Sequence, residues 1–216
     1  GFAGDALQDA DFNVAVGHQA LTNDTLGSRS TALGRSALNA QNFTTATEVY
    51  NVAVGYNAGL SVSTGLQNTL IGSLAGDALT DADFNVAVGL NALTSDTLGS
   101  KSTALGHGAL NSQNFTTATD TFNVAVGMRA GFNVTTGVQN TLVGGLAGDA
   151  ITSGDNNIAI GYAAMTANTL GDRNVAIGNE ALEAFNITTT TDSYNVAVGF
   201  QAGHTLTTGV DNTLIG

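Results

Sequence analysis

One pentapeptide governs what this chain can fold into. NVAVG stands at 13–17, 51–55, 85–89, 123–127 and 195–199. Variants fill the intervals: STALG at 30–34 and 102–106, NTLIG at 68–72 and 212–216, NTLVG at 140–144, NIAIG at 157–161 and NVAIG at 174–178. The twelve copies close on Gly17, Gly34, Gly55, Gly72, Gly89, Gly106, Gly127, Gly144, Gly161, Gly178, Gly199 and Gly216. Their spacing runs 17, 21, 17, 17 and then repeats, so the 216 residues are three 72-residue blocks: 1–72, 73–144 and 145–216. Repeats of this size are units that cannot bury an apolar side alone and do so against their neighbours.

Each unit follows one grammar. The pentapeptide alternates in character with period two, a strand signal. Three residues past its glycine comes alanine, as at Ala20, Ala37, Ala58 and Ala75. Next is Leu or Met in the first two units of a block (Leu21, Leu38, Met165) and Gly in the last two (Gly59, Gly76, Gly203). A polar stretch rich in Thr, Ser, Asn, Asp and Gly leads to the next strand, and nothing sustains a helical period. The fold expected is all-β: a parallel β-solenoid, or β-roll, of twelve coils advancing about 4.8 Å each, which makes a rod about 58 Å long. No linker or shift in composition interrupts residues 1–216, which read as a single repetitive domain.

Val14 and Val16 are expected inside the coil, because β-branched residues suit a buried pleated wall. Ala15, Ala20 and their equivalents are then expected to form a second, small-residue face toward another copy of the chain. The first pentapeptide position is Asn13, Asn51, Asn68, Asn85, Asn123, Asn140, Asn157, Asn174, Asn195 and Asn212, with Ser30 and Ser102 in the other two units. Asn tolerates left-handed backbone angles and can stack into an amide ladder, so these residues are assigned a structural role. The chain begins and ends in the same frame of the block, without a capping sequence. A bare solenoid end is an open strand edge, so the expectation is a segment of a longer repetitive chain, or subunits stacked head to tail.

Composition narrows the function. Seventeen acidic residues face five basic ones, a net charge of −12, the wrong sign for a nucleic-acid backbone binder. No apolar run approaches the ~18 residues of a membrane-spanning helix, so no membrane insertion is expected of this segment. There is no cysteine, hence no disulfide and no thiolate metal site.

The strings NVAVGHQAL, STALGRSAL and NVAIGNEAL resemble the head repeats of YadA-type trimeric autotransporter adhesins, which run roughly N-S-V-A-I-G-x-x-A. The NTLIG and AG elements are also similar to repeats of phage tail-fibre and other surface-fibre proteins. The resemblance spans the whole chain. It implies a left-handed β-roll, a homotrimer of chains side by side, and an extracellular place on a cell or virion surface.

Several residue sets are candidate sites. The acidic loops DALQDADFN, DALTDADFN and DAITSGDNN bring Asp5, Asp9, Asp11, Asp77, Asp81, Asp83, Asp149 and Asp155 to one block position. Oxygen-rich loops suit Ca²⁺, so they are candidates for a weak Ca²⁺ site, the one cofactor considered. The 21-residue units carry Thr-rich inserts with N-x-T at Asn42, Asn114 and Asn186, candidate glycosylation acceptors. Each insert ends next to an aromatic residue, Tyr50, Phe122 or Tyr194, and is the candidate for lateral contact or for binding a host receptor or surface glycan. Arg29, Lys101 and Arg173 recur 72 residues apart near Asp24 and Asp96, which predicts a solvated or inter-chain salt bridge. His18, His107 and His204 fall at different block positions, so they predict no stacked metal site.

No nucleophile–histidine–acid set recurs, and acids spread along a rod make no hydrolase cleft. The function expected is therefore not enzymatic. It is a structural extracellular fibre segment, such as an adhesin head or shaft, a phage tail fibre or a polymeric surface filament. The alternative is a Ca²⁺- or glycan-binding adhesive module on the acidic loops or the inserts.

Overall fold

The computed structural model describes all residues, Gly1–Gly216. The protein is all-β, a parallel β-solenoid of about twelve turns, with one three-residue strand at each pentapeptide. It comprises two compact units, residues 1–102 with 114–120 and residues 103–113 with 121–216.

The first unit holds β1 (Val14–Val16), β2 (Gly27–Ser28), β3 (Thr31–Leu33), β4 (Thr47–Glu48), β5 (Val52–Val54), β6 (Thr69–Ile71), β7 (Val86–Val88) and β8 (Gly99–Ser100). The second opens with β9 (Thr103–Leu105), while β10 (Thr119–Asp120) belongs to the first. The second continues with β11 (Val124–Val126), β12 (Thr141–Val143), β13 (Ile158–Ile160), β14 (Gly171–Asp172), β15 (Val175–Ile177), β16 (Thr191–Asp192), β17 (Val196–Val198) and β18 (Thr213–Ile215). In the first unit β1, β3, β5, β6 and β7 pair in that order, all parallel. In the second the order is β9, β11, β12, β13, β15, β17 and β18. Equivalent residues stand opposite one another throughout, as Val52 does to Thr69 and Ala53 to Leu70.

The inserts do not simply bulge. Thr47–Glu48 pairs with Gly27–Ser28, Thr119–Asp120 with Gly99–Ser100, and Thr191–Asp192 with Gly171–Asp172. Each insert lays a short second ladder onto the preceding coil. Phe43, Phe115 and Ile187 anchor the inserts in the core.

The facing of the pentapeptide is the reverse of the expectation. The middle residue points inward: Ala32, Ala53, Leu70, Ala87, Ala104 and Leu142 are fully buried, whereas Val14 is 50% and Val16 54% exposed. The alanines three past the glycine, such as Ala20 and Ala37, are fully buried as well. The small-residue face is thus the core, and the Val, Ile, Leu and Thr columns face outward. The cause is space. Each coil is one thin turn, and beside the strand its interior admits alanine plus one larger side chain, with others such as Val62 and Leu79 buried further round the turn.

That larger side chain explains the Leu/Gly alternation. A Cβ on Gly59 would sit 2.7 Å from Leu70 Cδ1, and one on Gly76 2.7 Å from Leu70 Cδ2. Leu70 fills the room that Leu21 and Leu38 occupy in the first two coils. Leu142 does the same over Gly131 and Gly148.

Two backbone features fix the coil. The closing glycines have φ from 129 to 142°. A Cβ on Gly55 would lie 2.5 Å from the carbonyl oxygen of Gly72, so these glycines are required both by conformation and by close approach. Left-handed φ also occurs just before the first pentapeptide position, not at it: at Phe12, Arg29, Tyr50, Gln67, Phe84 and Lys101 in the first unit. The asparagines therefore owe their place to hydrogen bonding rather than to left-handed backbone.

Candidate functional site

The asparagine side chains tie successive coils together. Asn51 Oδ1 accepts from Asn68 N at 2.8 Å, Asn68 Oδ1 from Asn85 N at 2.9 Å, and Asn85 Oδ1 from Ser102 N at 2.8 Å. In the second unit the run passes from Asn123 through Asn140, Asn157, Asn174 and Asn195 to Asn212. The amide groups donate to carbonyls across the coil, as Asn68 Nδ2 does to Ala82 O at 2.7 Å. Asn13 likewise accepts from Ser30 N and donates to Gly27 O. The ladder is mostly side chain to backbone; amide-to-amide bonds join Asn174 to Asn157 and Asn212 to Asn195, and Asn51 and Asn123 also donate to Gln41 Oε1 and Gln113 Oε1.

The Asp24 carboxylate is fully buried. It accepts from the backbone N–H of Gly27 and Phe43 and from Gln41 Nε2 at 2.6 Å. It pins the insert to the coil and does not pair with Arg29, a correction to the sequence expectation. In the third block Asn168 replaces it and Phe185 replaces Gln41, both fully buried.

The acids that do meet the recurring bases lie on the inserts. Arg29 pairs with Glu48 at 2.9 Å, Lys101 with Asp120 at 2.5 Å, and Arg173 with Asp192. The signal that could have found them is the strict 19-residue offset from base to acid in all three blocks. The Arg29 guanidinium also lies over the rings of Phe12 and Tyr50, and that of Arg173 over Tyr194. The hydrogen bond from the Tyr50 hydroxyl, and then Arg29, hold the Glu48 carboxyl below its ordinary range, and Glu48 raises the Tyr50 phenol. Exposed ion pairs of this kind add little stability. Their effect is a recurring surface cluster of aromatic, base and acid. A cleft of about 150 Å³ opens there between Asp11, Phe12, Ser28, Arg29, Thr47 and Glu48. It is smaller than the ~300 Å³ at which small-molecule pockets begin, so it suits a single protruding group.

The acidic loops spread their carboxylates over different donors. Asp77 accepts from the Thr94 hydroxyl, Asp149 from Thr166 Oγ1 at 2.5 Å, and Asp81 from Thr64 Oγ1 at 2.7 Å. Asp83 accepts from Leu66 N and Asp155 from Val138 N, while Asp11 donates its N–H to Ser28 Oγ. Asp5 and Asp9 stand near the amino terminus on the same loop. No three of these acids converge to metal-ligand distance. The group that does converge is Glu180, Glu183 and His204, residues that do not recur between blocks and so leave no signal in the repeat.

Asn42 and Asn114 are exposed, and Asn186 is half-buried. Each carbonyl oxygen accepts from a threonine of the preceding coil: Thr25, Thr97 and Thr169.

The most extensive feature is the outward face of the main strands. In the first unit it carries Val14, Val16, Leu33, Ile71 and Val86, each at least 37% exposed. In the second it carries Leu105, Ile158, Ile160, Ile177 and Ile215. Monomeric proteins seldom leave such continuous apolar columns in water. No helix is long and apolar enough to cross a membrane. Comparison with protein-family models, with curated proteins and with solved structures gives no significant match.

Proposed function

We propose that this chain is a structural segment of an extracellular fibre whose copies associate through the outward strand face, with three chains as the favoured assembly. One observation carries the reading: aliphatic columns exposed on one strand face while the alanines are buried. Covering a face of this kind removes apolar area from water at roughly 25 cal/mol per Å². The resemblance to YadA-type head repeats supports the trimer, the left-handed coil and the cell- or virion-surface location. The function is mechanical. Continuous hydrogen-bonded ladders resist stretching and hold the inserts at regular intervals for contact with a receptor.

Light scattering coupled to chromatography, with electron microscopy of the same sample, tests the proposal. Particles or filaments three chains in cross-section are expected. A stable single-chain particle at micromolar concentration overturns it.

A second reading is favoured by the clusters at Phe12–Arg29–Tyr50–Glu48 and their equivalents. Aromatic faces beside a guanidinium and a carboxylate are the groups that grip sugar rings and hydroxyls. Glycan-array binding lost on Tyr50→Ala and Tyr194→Ala supports this reading, and an unchanged array profile removes it.

A further inference from the structure

We infer that Glu180, Glu183 and His204 form a binding site for a divalent transition-metal ion of the Zn²⁺ type. The site would join two consecutive coils of the third block.

The three side chains come together because the coils stack in register. Glu180 lies two residues past Gly178, and Glu183 three residues further along the same coil. His204 comes from the next coil. Backbone hydrogen bonds fix the two segments against each other: Leu182 N to Ala202 O at 3.0 Å, Ala184 N to His204 O at 3.2 Å, and Gln201 N to Asn179 O at 2.9 Å. His204 Nε2 stands 2.5 Å from Glu183 Oε2. Glu180 Oε2 accepts from Gln201 Nε2 at 2.7 Å. One ligand atom from each of the three lies within 4.8 Å of the others.

The donor set selects the ion. One imidazole nitrogen and two carboxylate oxygens match three-ligand zinc sites, which keep a fourth position for water. Bonds of about 2.0–2.2 Å place tetrahedral neighbours roughly 3.4 Å apart. The Glu183–His204 contact of 2.5 Å must then open by about 1 Å. Side-chain torsions allow this, since His204 and Glu183 are 39% and 36% exposed. Ca²⁺ wants six to eight oxygens, and both Ca²⁺ and Mg²⁺ prefer oxygen ligands to the imidazole nitrogen that His204 supplies. None of the ion pairs of the molecule gives either glutamate a lysine or arginine, and the one cation either can meet is His204 itself when protonated.

The site is particular to one block. The same three positions hold Ser36, Asn39 and Leu60 in the first block, and Gly108, Asn111 and Phe132 in the second. The lack of recurrence argues against a column of stacked sites. It leaves a single site open, and it supplies substitutions that the coil already accommodates elsewhere.

The test is titration of the whole chain with zinc chloride by calorimetry, alongside thermal unfolding. One ion per chain is expected, and a hundredfold excess over the dissociation constant should raise the melting temperature by about 5–10 °C. His204→Leu and Glu183→Asn, the residues of the sister blocks, and Glu180→Gln should each weaken binding at least tenfold. They should leave the circular dichroism of the metal-free protein unchanged. The control variant, His18→Leu with His107→Arg, should bind as the parent does. Absence of saturable binding overturns the inference. So does undiminished binding by His204→Leu, loss of binding in the control variant, or displacement of zinc by millimolar Ca²⁺.

Discussion

The carboxamide oxygen of Asn51 accepts the backbone N–H of Asn68 at 2.8 Å, and Asn68 in turn accepts that of Asn85. Both residues are fully buried, and each asparagine satisfies one backbone donor of the next coil and one carbonyl across the turn. Asn68→Ala therefore orphans two buried groups, Asn85 N–H and Ala82 C=O. At about 1–3 kcal/mol for each unsatisfied group, a loss of about 2–6 kcal/mol is expected. Urea unfolding of the variant measures it. A change below about 0.5 kcal/mol would mean that water replaces the side chain and that the ladder is dispensable.

Two glycines that look alike in sequence should respond oppositely to alanine. Gly72 has φ 134°, and a Cβ there would sit 2.5 Å from the carbonyl oxygen of Gly89. Gly72→Ala forces two coils apart and should cost more than about 3 kcal/mol or prevent folding. Gly145, one residue beyond a closing glycine, has no such φ, and its Cβ would meet only the Tyr162 ring, at 3.5 Å or more. Gly145→Ala should stay within about 0.5 kcal/mol of the parent. Melting curves of the two variants side by side decide it, and equal effects would refute the stacking account.

The solenoid itself was legible because spacing alone reports it: twelve glycines at 17 or 21 residues admit little besides stacked coils. The facing of the strand is not legible in the pentapeptide, since Val14-Ala15-Val16 alternates equally well with either face inward. The clue lay further apart. The middle residue becomes leucine at Leu70, Leu142 and Leu214 only in coils where the position four past the glycine is also glycine. That exchange is compensation of volume within a shared core, and a residue facing solvent would have no reason to take part in it. The ion pairs were half visible. Recurrence singles out Arg29, but its partner Glu48 comes from an insert whose pairing with the preceding coil is a tertiary fact. Likewise the meeting of Glu183 with His204 depends on which residues a 21-residue coil sets above one another.

The carboxyl of Asp172 should make stability fall as pH rises, opposite to the usual aspartate. Burial raises its pKa above the ordinary value, with the neighbouring Asp155 charge adding to the rise and the Asp155 N–H and Arg173 opposing it. The folded state thus holds this proton more tightly than the unfolded chain. Its contribution is most favourable below the ordinary carboxylate range and diminishes as pH climbs to the folded value, then stays level. Asp172→Asn keeps an oxygen for the Asp155 N–H, bonded at 2.7 Å in the parent. The variant should lose less stability than the parent between about pH 4 and pH 7. Denaturant midpoints at several pH values check this, and parallel curves for the two proteins would contradict it.

The inverted facing makes the strand itself a test of assembly. Ile71 points outward at 38% exposure, while Ala87 on the adjoining strand is fully buried. Ala87→Val overfills the coil and should destabilise it by about 1–3 kcal/mol, whatever its oligomeric state. Ile71→Lys removes nothing from the coil interior, so the secondary structure should be that of the parent. If copies pack through this face, a charge buried without a partner should shift the particle toward single chains. Light scattering on both variants separates the two effects. An Ile71→Lys protein that assembles as the parent does would show that the aliphatic columns are not the contact. An Ala87→Val protein of full stability would show that the alanines do not fill the core.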